Sequence, residues 1–502
     1  MLRKTLFYSF LILQSLLIIN VFLYSDLSNY PCKQPLPISN KFSIIISIFL
    51  CALICFVVTR RYKSDKSINN SRVILIASLI LLAVQFFITY NIYFYTGWDA
   101  GWIHQTIEEL SYHQGVLKPD QYYFFSRYPN NINLSSIFLI VYNALHKFNI
   151  NGYFGLLFLS NIIVNIAGIF TYLSIFHITK SSIYSSVGWF LFVILVGLSP
   201  WITIPYSDSY SILFPILSLY LYLTINKENY LGWFLIGFFC FFAFSIKPTA
   251  IIVLFSILIY QISRLIDFNE RKIRYKSLLP IFFIILGLLP VHFINLYLRN
   301  HLNVNIDEDQ KFSVFHSIMM GLNTETVGVY WIEDVNYSAS FLTIEDRNQA
   351  NISKITERLN NFGFWGYSKF LSKKALVNFS DGTFSWSCEG GFYSKIPERK
   401  NRVSNFLQNI YYKNGNFHFL FLTITQVIWY VVMLFLLGLS IFKNVKENYN
   451  FFLIITIFGL YLFVMLFEAR ARYLYSYSPI LIVGAILGLR KFCLYSTPKL
   501  KL

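Results

Sequence analysis

The sequence predicts an all-α polytopic membrane protein, and three observations support this fold class. The chain has 502 residues, of which 56% are hydrophobic and only 13% are charged. A water-soluble domain could not bury that much apolar surface. The apolar residues fall into runs of the length that crosses a bilayer, about 20 residues per helix. Phe and Tyr occur 52 and 36 times, as expected for side chains that face lipid tails and headgroups.

About twelve transmembrane helices are expected along the chain. The first apolar run resembles a signal peptide but lacks a small-residue cleavage site, so we expect a retained helix. The stretch 231–265 is interrupted by Lys247 and Pro248 and could form one bent unit. Segment 131–148 is short and partly polar, and we interpret it as an amphipathic helix on the outer surface. The expected spans are 5–25, 42–59, 73–93, 153–178, 183–204, 209–225, 231–246, 250–265, 278–298, 418–442, 451–467 and 473–490.

The net charge of +17 comes from short basic clusters between the apolar runs. With twelve spans these clusters share one side, which the positive-inside rule makes cytoplasmic. Both termini are then cytoplasmic, and any active site in the long loops is extracytoplasmic. The pattern argues against nucleic acid and favours membrane lipid or a phosphate-bearing lipid as partner. The predicted units are an N-terminal transmembrane module (1–298) with an outer loop at 94–152, an extracytoplasmic loop (299–417) and C-terminal transmembrane helices (418–502).

Metal ligands and disulfides have no strong sequence signature. Cys32 and Cys388 both fall on the outer side, so a disulfide between them is possible, but unpaired thiols are favoured. His104 and Glu108 lie four residues apart on one helical face. These two residues or Asp208 could hold a divalent metal, although a solvated helical contact is favoured for the pair. No cofactor is certain from the sequence.

The first outer loop begins with an acidic residue in an unusual setting. Asp99 follows a span directly, lies between Trp98 and Trp102, and has a glycine nearby on either side. Tryptophan can stack on a sugar ring or lie at the headgroup level. Asp99 could therefore act as a general base where water meets lipid. The alternative, which composition alone favours slightly, is a turn-forming aspartate beside an aromatic belt.

Further charged residues lie at the predicted outer ends of later spans. Asp208 occupies a short loop, and Lys247 precedes a proline between two apolar runs. A helix cap and a snorkelling lysine are the simpler interpretations of these two residues. Arg470 and Arg472 join the last two spans on a side where the positive-inside rule disfavours arginine. A phosphate-binding role is therefore favoured for the two arginines.

Two weaker motifs complete the candidate site. Arg127 and Tyr128 precede Pro129, where a plain capping turn is a strong alternative to substrate contact. Asp381 begins an Asp-Gly turn flanked by aromatic residues, and this turn could close over the site as a lid.

Together these features resemble the GT-C superfamily of membrane glycosyltransferases, which includes protein O-mannosyltransferases and aminoarabinose transferases. The resemblance, strongest to uncharacterised bacterial members, rests on Asp99 early in the first outer loop, surface helices at 101–113 and 131–148, Asp208, Lys247-Pro248-Thr249 and Arg472-Tyr473.

The resemblance implies a sugar donor linked to polyprenyl phosphate and an acceptor that is a cell-envelope glycan, lipid or protein. It implies that Asp99 is the catalytic base of an inverting transfer. Ala100 follows Asp99 where the O-mannosyltransferases have an Asp-Glu pair, which argues against protein O-mannosylation. The donor phosphate is expected to contact Arg470, Arg472 and Lys247. Other substrate contacts are expected from Trp98, Trp102, Arg127, Tyr128, Asp208, Asp381 and Tyr473.

Two other functions fit the same topology. A surface polysaccharide polymerase or ligase would use a lipid diphosphate oligosaccharide and would not require Asp99. A transporter or flippase for a lipid-linked saccharide would place charges in mid-membrane and repeat its halves. The charges of this chain instead cluster at one boundary.

Overall fold

The protein folds almost entirely into α-helices, as the sequence predicts. The computed structural model describes residues 2–25, 40–62, 71–113, 117–226, 228–267, 272–273, 278–302, 306–399, 401–441 and 448–496. Two short strands, β1 (Ile266–Asp267) and β2 (Lys272–Ile273), pair antiparallel. The predicted all-α class is confirmed.

The helices are numbered in chain order. The first twelve are α1 (Leu2–Tyr24), α2 (Asn40–Tyr62), α3 (Ser71–Ile92), α4 (Asp99–His113), α5 (Pro119–Arg127), α6 (Ile132–His146), α7 (Gly152–Thr179), α8 (Ser182–Phe192), α9 (Ser207–Ser211), α10 (Leu213–Thr224), α11 (Tyr230–Ile246) and α12 (Ile252–Leu265). The remainder are α13 (Leu278–Leu286), α14 (Leu288–Leu302), α15 (Val314–Gly321), α16 (Ile332–Ala339), α17 (Ile344–Phe379), α18 (Arg402–Tyr411), α19 (His418–Ile441), α20 (Asn448–Leu466), α21 (Arg472–Tyr475) and α22 (Ser478–Ser496).

Seven helical segments in the described part of the chain are long and apolar enough to cross a membrane, so the predicted count of about twelve is not confirmed. The difference lies mainly between α8 and α12, where four predicted spans form helices of 11, 12, 17 and 14 residues. A π turn at Val193–Gly197 ends α8, and Pro248 separates α11 from α12. The seven segments are Thr5–Tyr24, Asn40–Arg61, Arg72–Ile92, Gly152–Thr179, Leu278–Leu302, His418–Ser440 and Tyr449–Leu466.

The helices α19 and α22 pack closely in the centre of the bundle. A Cβ added to Gly488 would lie only 1.8 Å from the carbonyl oxygen of Phe435, and one added to Gly438 would lie 2.5 Å from that of Gly488. Small residues at such a contact let two helix backbones approach, which favours helix association in lipid. The glycines therefore fix the spacing of these two helices.

Segment 131–148, predicted to lie on the surface, forms the 15-residue helix α6. It packs against α4, α7 and α14. Asn133 donates a hydrogen bond to Asn295 and Ser136 donates one to the carbonyl of Leu298. The polar residues that made this segment look like a surface helix are thus used in contacts between helices.

Several helix ends meet at one end of the bundle, which we call the site end. Tyr412 donates to the carbonyl of Ile92 at the end of α3, at 2.8 Å. Lys374 of α17 donates to the carbonyl of Phe467, just after α20, at 2.6 Å. Ser372 of α17 exchanges hydrogen bonds with Asn20 in the last turns of α1. The predicted outer loops 94–152 and 299–417 therefore meet at the same end of the bundle.

Two arginines hold the segment between α14 and α18 together. Arg347 donates to the carbonyls of Ser338 and Phe341 at 2.8 and 2.6 Å. Arg358 forms an ion pair with Asp334 at 2.6 Å. A guanidinium that satisfies several acceptors at once can join the turns of a short, polar segment.

Several predictions concern residues outside the described ranges. Basic clusters that set the predicted orientation include residues 63–70, 274–277, 442–447 and 497–502, which the structure does not describe. Cys388 is disulfide-bonded, so the expectation of an unpaired thiol is wrong for Cys388, whereas Cys32 lies outside the described residues. Four other cysteines, at 51, 55, 240 and 493, form no disulfide.

A buried ion network as the candidate functional site

Backbone hydrogen bonds between two distant segments position Asp99. Tyr95 donates to the carbonyl of Lys395 at 2.9 Å, and Gly97 donates to that of Gly391 at 2.9 Å. A Cβ on Gly97 would lie 3.2 Å from the Gly391 oxygen, and Gly391 itself has a φ of +62°. Glycine at both positions permits this close approach. The contact brings the start of α4 next to the segment that carries Glu389.

Asp99 is the first residue of α4, and the residue as a whole is partly exposed. The hydroxyl of Tyr206 donates a hydrogen bond to Asp99 Oδ2 at 3.2 Å. Burial raises the pKa of Asp99 above its ordinary value of 3.8, Arg472 opposes the shift, and the charges of Glu389 and Glu468 raise the pKa further. A carboxylate with a raised pKa and some access to solvent is a better proton acceptor than one whose pKa is held below its ordinary value.

Asp208 is fully enclosed and pairs with two cations. Its Oδ1 accepts a hydrogen bond from Lys247 Nζ, and its Oδ2 accepts one from Arg472 Nη1 at 2.8 Å. Burial acts to raise the pKa of Asp208, but the two cations outweigh it and hold the pKa below 3.8. Asp208 is the second residue of α9 and does not cap it, and Lys247 is only 4% exposed and does not snorkel.

Glu389 joins the two arginines that the sequence singles out. Its Oε2 lies 2.9 Å from Arg470 Nη1, and its Oε1 lies 2.9 Å from Arg472 Nε. Arg470 also donates to Glu468 Oε1 at 2.8 Å. Glu389 is not among the residues predicted from the sequence. The signal that points to it is the Gly390-Gly391 pair that follows, since glycines permit the close approach described above.

The network contains four carboxylates, Asp99, Asp208, Glu389 and Glu468, and three cations, Lys247, Arg470 and Arg472. When all seven groups are ionised, one negative charge is left over. The excess is least costly to remove by protonating Asp99, because Asp99 is the one of these four acids that forms no ion pair with the described residues. The acids of the network thus add to the effect of burial, which is the main cause of the raised pKa of Asp99.

Aromatic rings surround the cations of this network. The Arg472 guanidinium lies 4.8 Å from the centre of the Trp98 ring and 5.4 Å from that of Tyr206. Lys247 Nζ lies 5.2 Å from the Tyr473 ring. Such rings attract cations and exclude water, which strengthens the ion pairs next to them.

A second group of side chains interacts with Asp99 from the end of α5 and from the segment before α16. Burial raises the pKa of Tyr128, and the Asp99 charge adds to the shift, as it also does for Tyr330. Arg127 is half-buried and lies 5.8 Å from the Phe312 ring. In the described part of the chain, no carboxylate lies within ion-pair distance of Arg127. Tyr330, which is 42% exposed, is a further residue that sequence reasoning missed.

Two sequence candidates lie outside the ion network. Asp381 accepts hydrogen bonds from the Thr383 and Ser385 backbone within its own turn. Phe384 and Trp386 of this turn are buried, so the turn is part of the core and not a lid. Trp102 is 37% exposed on α4, one turn after Trp98.

The possible metal ligands do not converge. His104 is buried against the rings of Phe138 and Tyr153, whereas Glu108 is exposed. Among the described residues, no three His, Cys, Asp or Glu side chains are grouped closely enough to hold a metal ion. A cavity of about 510 Å³ lies elsewhere, between α2, α3 and α8, and its lining is mostly apolar.

A family model described as "Conserved hypothetical integral membrane protein" matches residues 2–492 of the chain. The match covers nearly the whole sequence and agrees with the seven apolar helices of span length found among the described residues. The predicted class of multi-pass membrane protein is confirmed by these two findings. No curated protein and no solved structure matches the chain.

Proposed function

The chain belongs to the family of conserved hypothetical integral membrane proteins, and we propose that it is a glycosyltransferase of the cell membrane. It moves a sugar from a polyprenyl-phosphate donor to a glycan, lipid or protein of the cell envelope. The GT-C resemblance of the sequence suggests this class of reaction, and the chemistry of the ion network supports it. The site works on the extracytoplasmic face, with both termini in the cytoplasm, in accordance with the positive-inside rule.

One observation carries the proposal. Asp99 is the acid of the network that forms no ion pair with the described residues, and its pKa is raised by burial and by the charges of Glu389 and Glu468. A purely structural carboxylate would gain stability from a cation partner, as Asp208 does. A general base instead needs an accessible carboxylate whose pKa lies nearer to the working pH.

In the proposed reaction, the acceptor hydroxyl loses its proton to Asp99 while its oxygen attacks the anomeric carbon of the sugar. The bond between that carbon and the phosphate oxygen breaks, and its electron pair leaves with the phosphate. Attack opposite to the leaving group inverts the anomeric configuration. The leaving phosphate is a weak base, so the step needs cations more than it needs a general acid.

Arg127 is the best candidate to meet the donor phosphate. The three cations predicted for this role, Lys247, Arg470 and Arg472, each have at least one carboxylate partner. A phosphate would have to displace a carboxylate from them, whereas Arg127 has no carboxylate partner to lose in the part of the chain that the structure describes.

Two tyrosines support the same position for the donor. Burial raises the pKa of both Tyr128 and Tyr330, and the charge of Asp99 raises it further, which indicates that their hydroxyls lie within electrostatic reach of the proposed base. A phenol that stays protonated can donate a hydrogen bond to an anionic donor.

The remaining network then has a positioning role. Asp208 holds Lys247 and Arg472 together, and Arg472 packs on Trp98, the residue before the proposed base. Fixed charges close to a reacting group require little reorganisation during the reaction.

The proposal is tested by giving purified protein in nanodiscs a panel of radiolabelled polyprenyl-phosphate sugars together with an extract of cell-envelope acceptors. We expect label to pass from one monophosphate donor to an acceptor, and Arg127→Met to raise KM for that donor more than it lowers kcat. Transfer from a diphosphate-linked oligosaccharide alone would indicate a polymerase or ligase. Movement of the labelled lipid across the bilayer without sugar transfer would indicate a transporter. Either result would overturn the proposal.

A further inference from the structure

The long helix α17 is interrupted where its side chains change character. Gly363 has a φ of 57° and a ψ of −180°, which breaks the helical path. The next two residues, Phe364 and Trp365, are 77% and 82% exposed and contact each other edge to face, with ring centres 5.1 Å apart. Two large aromatic side chains this exposed are unusual in a folded protein that meets only water.

The position of this break can be related to the bilayer. Ser372 exchanges two hydrogen bonds of 2.8 Å with Asn20, and Asn20 lies in the last turns of the span Thr5–Tyr24. Trp365 precedes Ser372 by seven residues, which is about 10 Å along a helix. The two aromatic residues therefore lie no more than about 12 Å from the level of Asn20, which is close to the end of the α1 span, where hydrocarbon gives way to headgroups.

The charge of this segment differs from that of the preceding half of α17. Lys369 and Lys373 are exposed, whereas Phe370 is buried against the protein. Exposed aromatic residues next to exposed lysines are typical of a helix that lies in the membrane interface. The residues 344–362 are mostly polar and carry three acids and three basic residues, so the excess of positive charge and the exposed aromatic pair both begin after Gly363.

We propose that residues 364–373 form an interfacial anchor, in which Phe364 and Trp365 insert among the headgroups of the leaflet at the site end while Lys369 and Lys373 attract anionic lipids. Charge complementarity favours lipid over a protein partner, because an anionic leaflet attracts exposed lysines that lie close to its surface. Two aromatic side chains also form too small a patch for a stable protein interface, which buries about 800 Å² per partner.

The anchor is linked mechanically to the ion network. Lys374 follows Lys373 directly, is fully buried, and donates to the carbonyls of Gly321 and Phe467 at 2.6 Å. Phe467 precedes Glu468, which binds Arg470. Contact of the anchor with lipid would therefore fix the depth of the segment that carries Phe467, Glu468 and Arg470 relative to the headgroups. The anchor does not depend on the proposed activity and can be tested without it.

The test uses the fluorescence of Trp365 in nanodiscs that contain anionic lipid. The emission of the nine tryptophans is recorded for the wild type and for Trp365→Phe, and the difference gives the emission of Trp365. We expect lipids brominated near the headgroup to quench this emission by about twofold or more, and lipids brominated deep in the chain or aqueous iodide to quench it less. In the Lys369→Gln/Lys373→Gln variant, quenching by brominated anionic lipid should fall.

The control is Leu342→Trp in the Trp365→Phe background, which places a tryptophan at an equally exposed site before α17, where Leu342 is 85% exposed. Its emission should be quenched by iodide and not by brominated lipid. Strong iodide quenching of Trp365 without lipid quenching would show that the residue lies in water. Protection from both quenchers together with two protein copies per nanodisc would identify a second chain as the partner. Either outcome would overturn the anchor.

Discussion

Replacing Asp208 by asparagine tests whether the ion network holds the site end together. Asp208 pairs with both Lys247 and Arg472, and its side chain is only 3% exposed. An asparagine side chain at this position would keep one oxygen acceptor but would turn an amide donor toward one of the two cations. Removing one partner of a buried ion pair costs about 3–5 kcal/mol. Lys247 loses its one carboxylate partner among the described residues, whereas Arg472 keeps Glu389, so we expect a value within that range.

Unfolding in mixed micelles of a mild detergent and SDS, followed by tryptophan emission, measures this loss. Glu357→Gln is the matched control, because Glu357 and Lys354 form an exposed pair that should contribute less than about 1 kcal/mol. The double variant with Lys247→Met restores the charge balance, so its cost should fall short of the sum of the single costs by about 1–3 kcal/mol. Two results would refute the reasoning. One is a loss of unfolding free energy for Asp208→Asn no larger than that for Glu357→Gln. The other is a cost of the double variant equal to the sum of the costs of Asp208→Asn and Lys247→Met.

Three further predictions rest on the same geometry. Burial lowers the pKa of Lys374 to about 7 from its ordinary value of 10.5. Between these two pH values Lys374 is protonated in the unfolded chain but not in the folded one, so the stability of the wild type relative to Lys374→Met should rise as pH increases from about 7 to 10.5. A difference in unfolding free energy that does not change with pH would contradict this. Tyr206→Phe removes a hydrogen bond that lowers the pKa of Asp99, so the acidic limb of the pH–rate profile for sugar transfer should move to higher pH. An acidic limb that stays in place or moves to lower pH would show that it does not report the titration of Asp99. Gly391→Ala should destabilise the protein by about 1–2 kcal/mol because of its positive φ, whereas Gly390→Ala, with nothing within 4 Å, should have little effect in the same unfolding assay.

The sequence singles out several charged residues that the structure brings close together, whereas the number of spans that it predicts is not confirmed. Asp99, Asp208 and Lys247 are identifiable because charged residues at the ends of apolar runs are costly unless they have a role or a partner. The ion pairs of Asp208 join residues far apart in the chain. No local pattern reveals that Arg470 and Arg472 are already paired, since their common partner Glu389 lies on a distant segment of the chain and shows no periodicity.

There is a physical reason why the predicted count of spans is not confirmed. Hydropathy cannot distinguish a helix that crosses lipid from an apolar segment that is broken inside the protein. The region from α8 to α12 has the composition of four spans, but a π turn at Val193–Gly197 and the proline at 248 divide it into shorter helices. The aromatic turn around Asp381 misleads in the same way, because exposed and buried aromatic residues look alike in a sequence.

The central claim is that Asp99 removes the acceptor proton during sugar transfer. The most direct measurement compares the transfer rate of Asp99→Asn with that of Glu108→Gln in nanodiscs, using the donor that the wild type accepts. Both residues lie on α4, and Glu108 is exposed, so its variant controls for the loss of a carboxylate from this helix. We expect Asp99→Asn to lose about 100-fold or more in kcat and Glu108→Gln to stay close to the wild type. Equal rates for the two variants would contradict the claim.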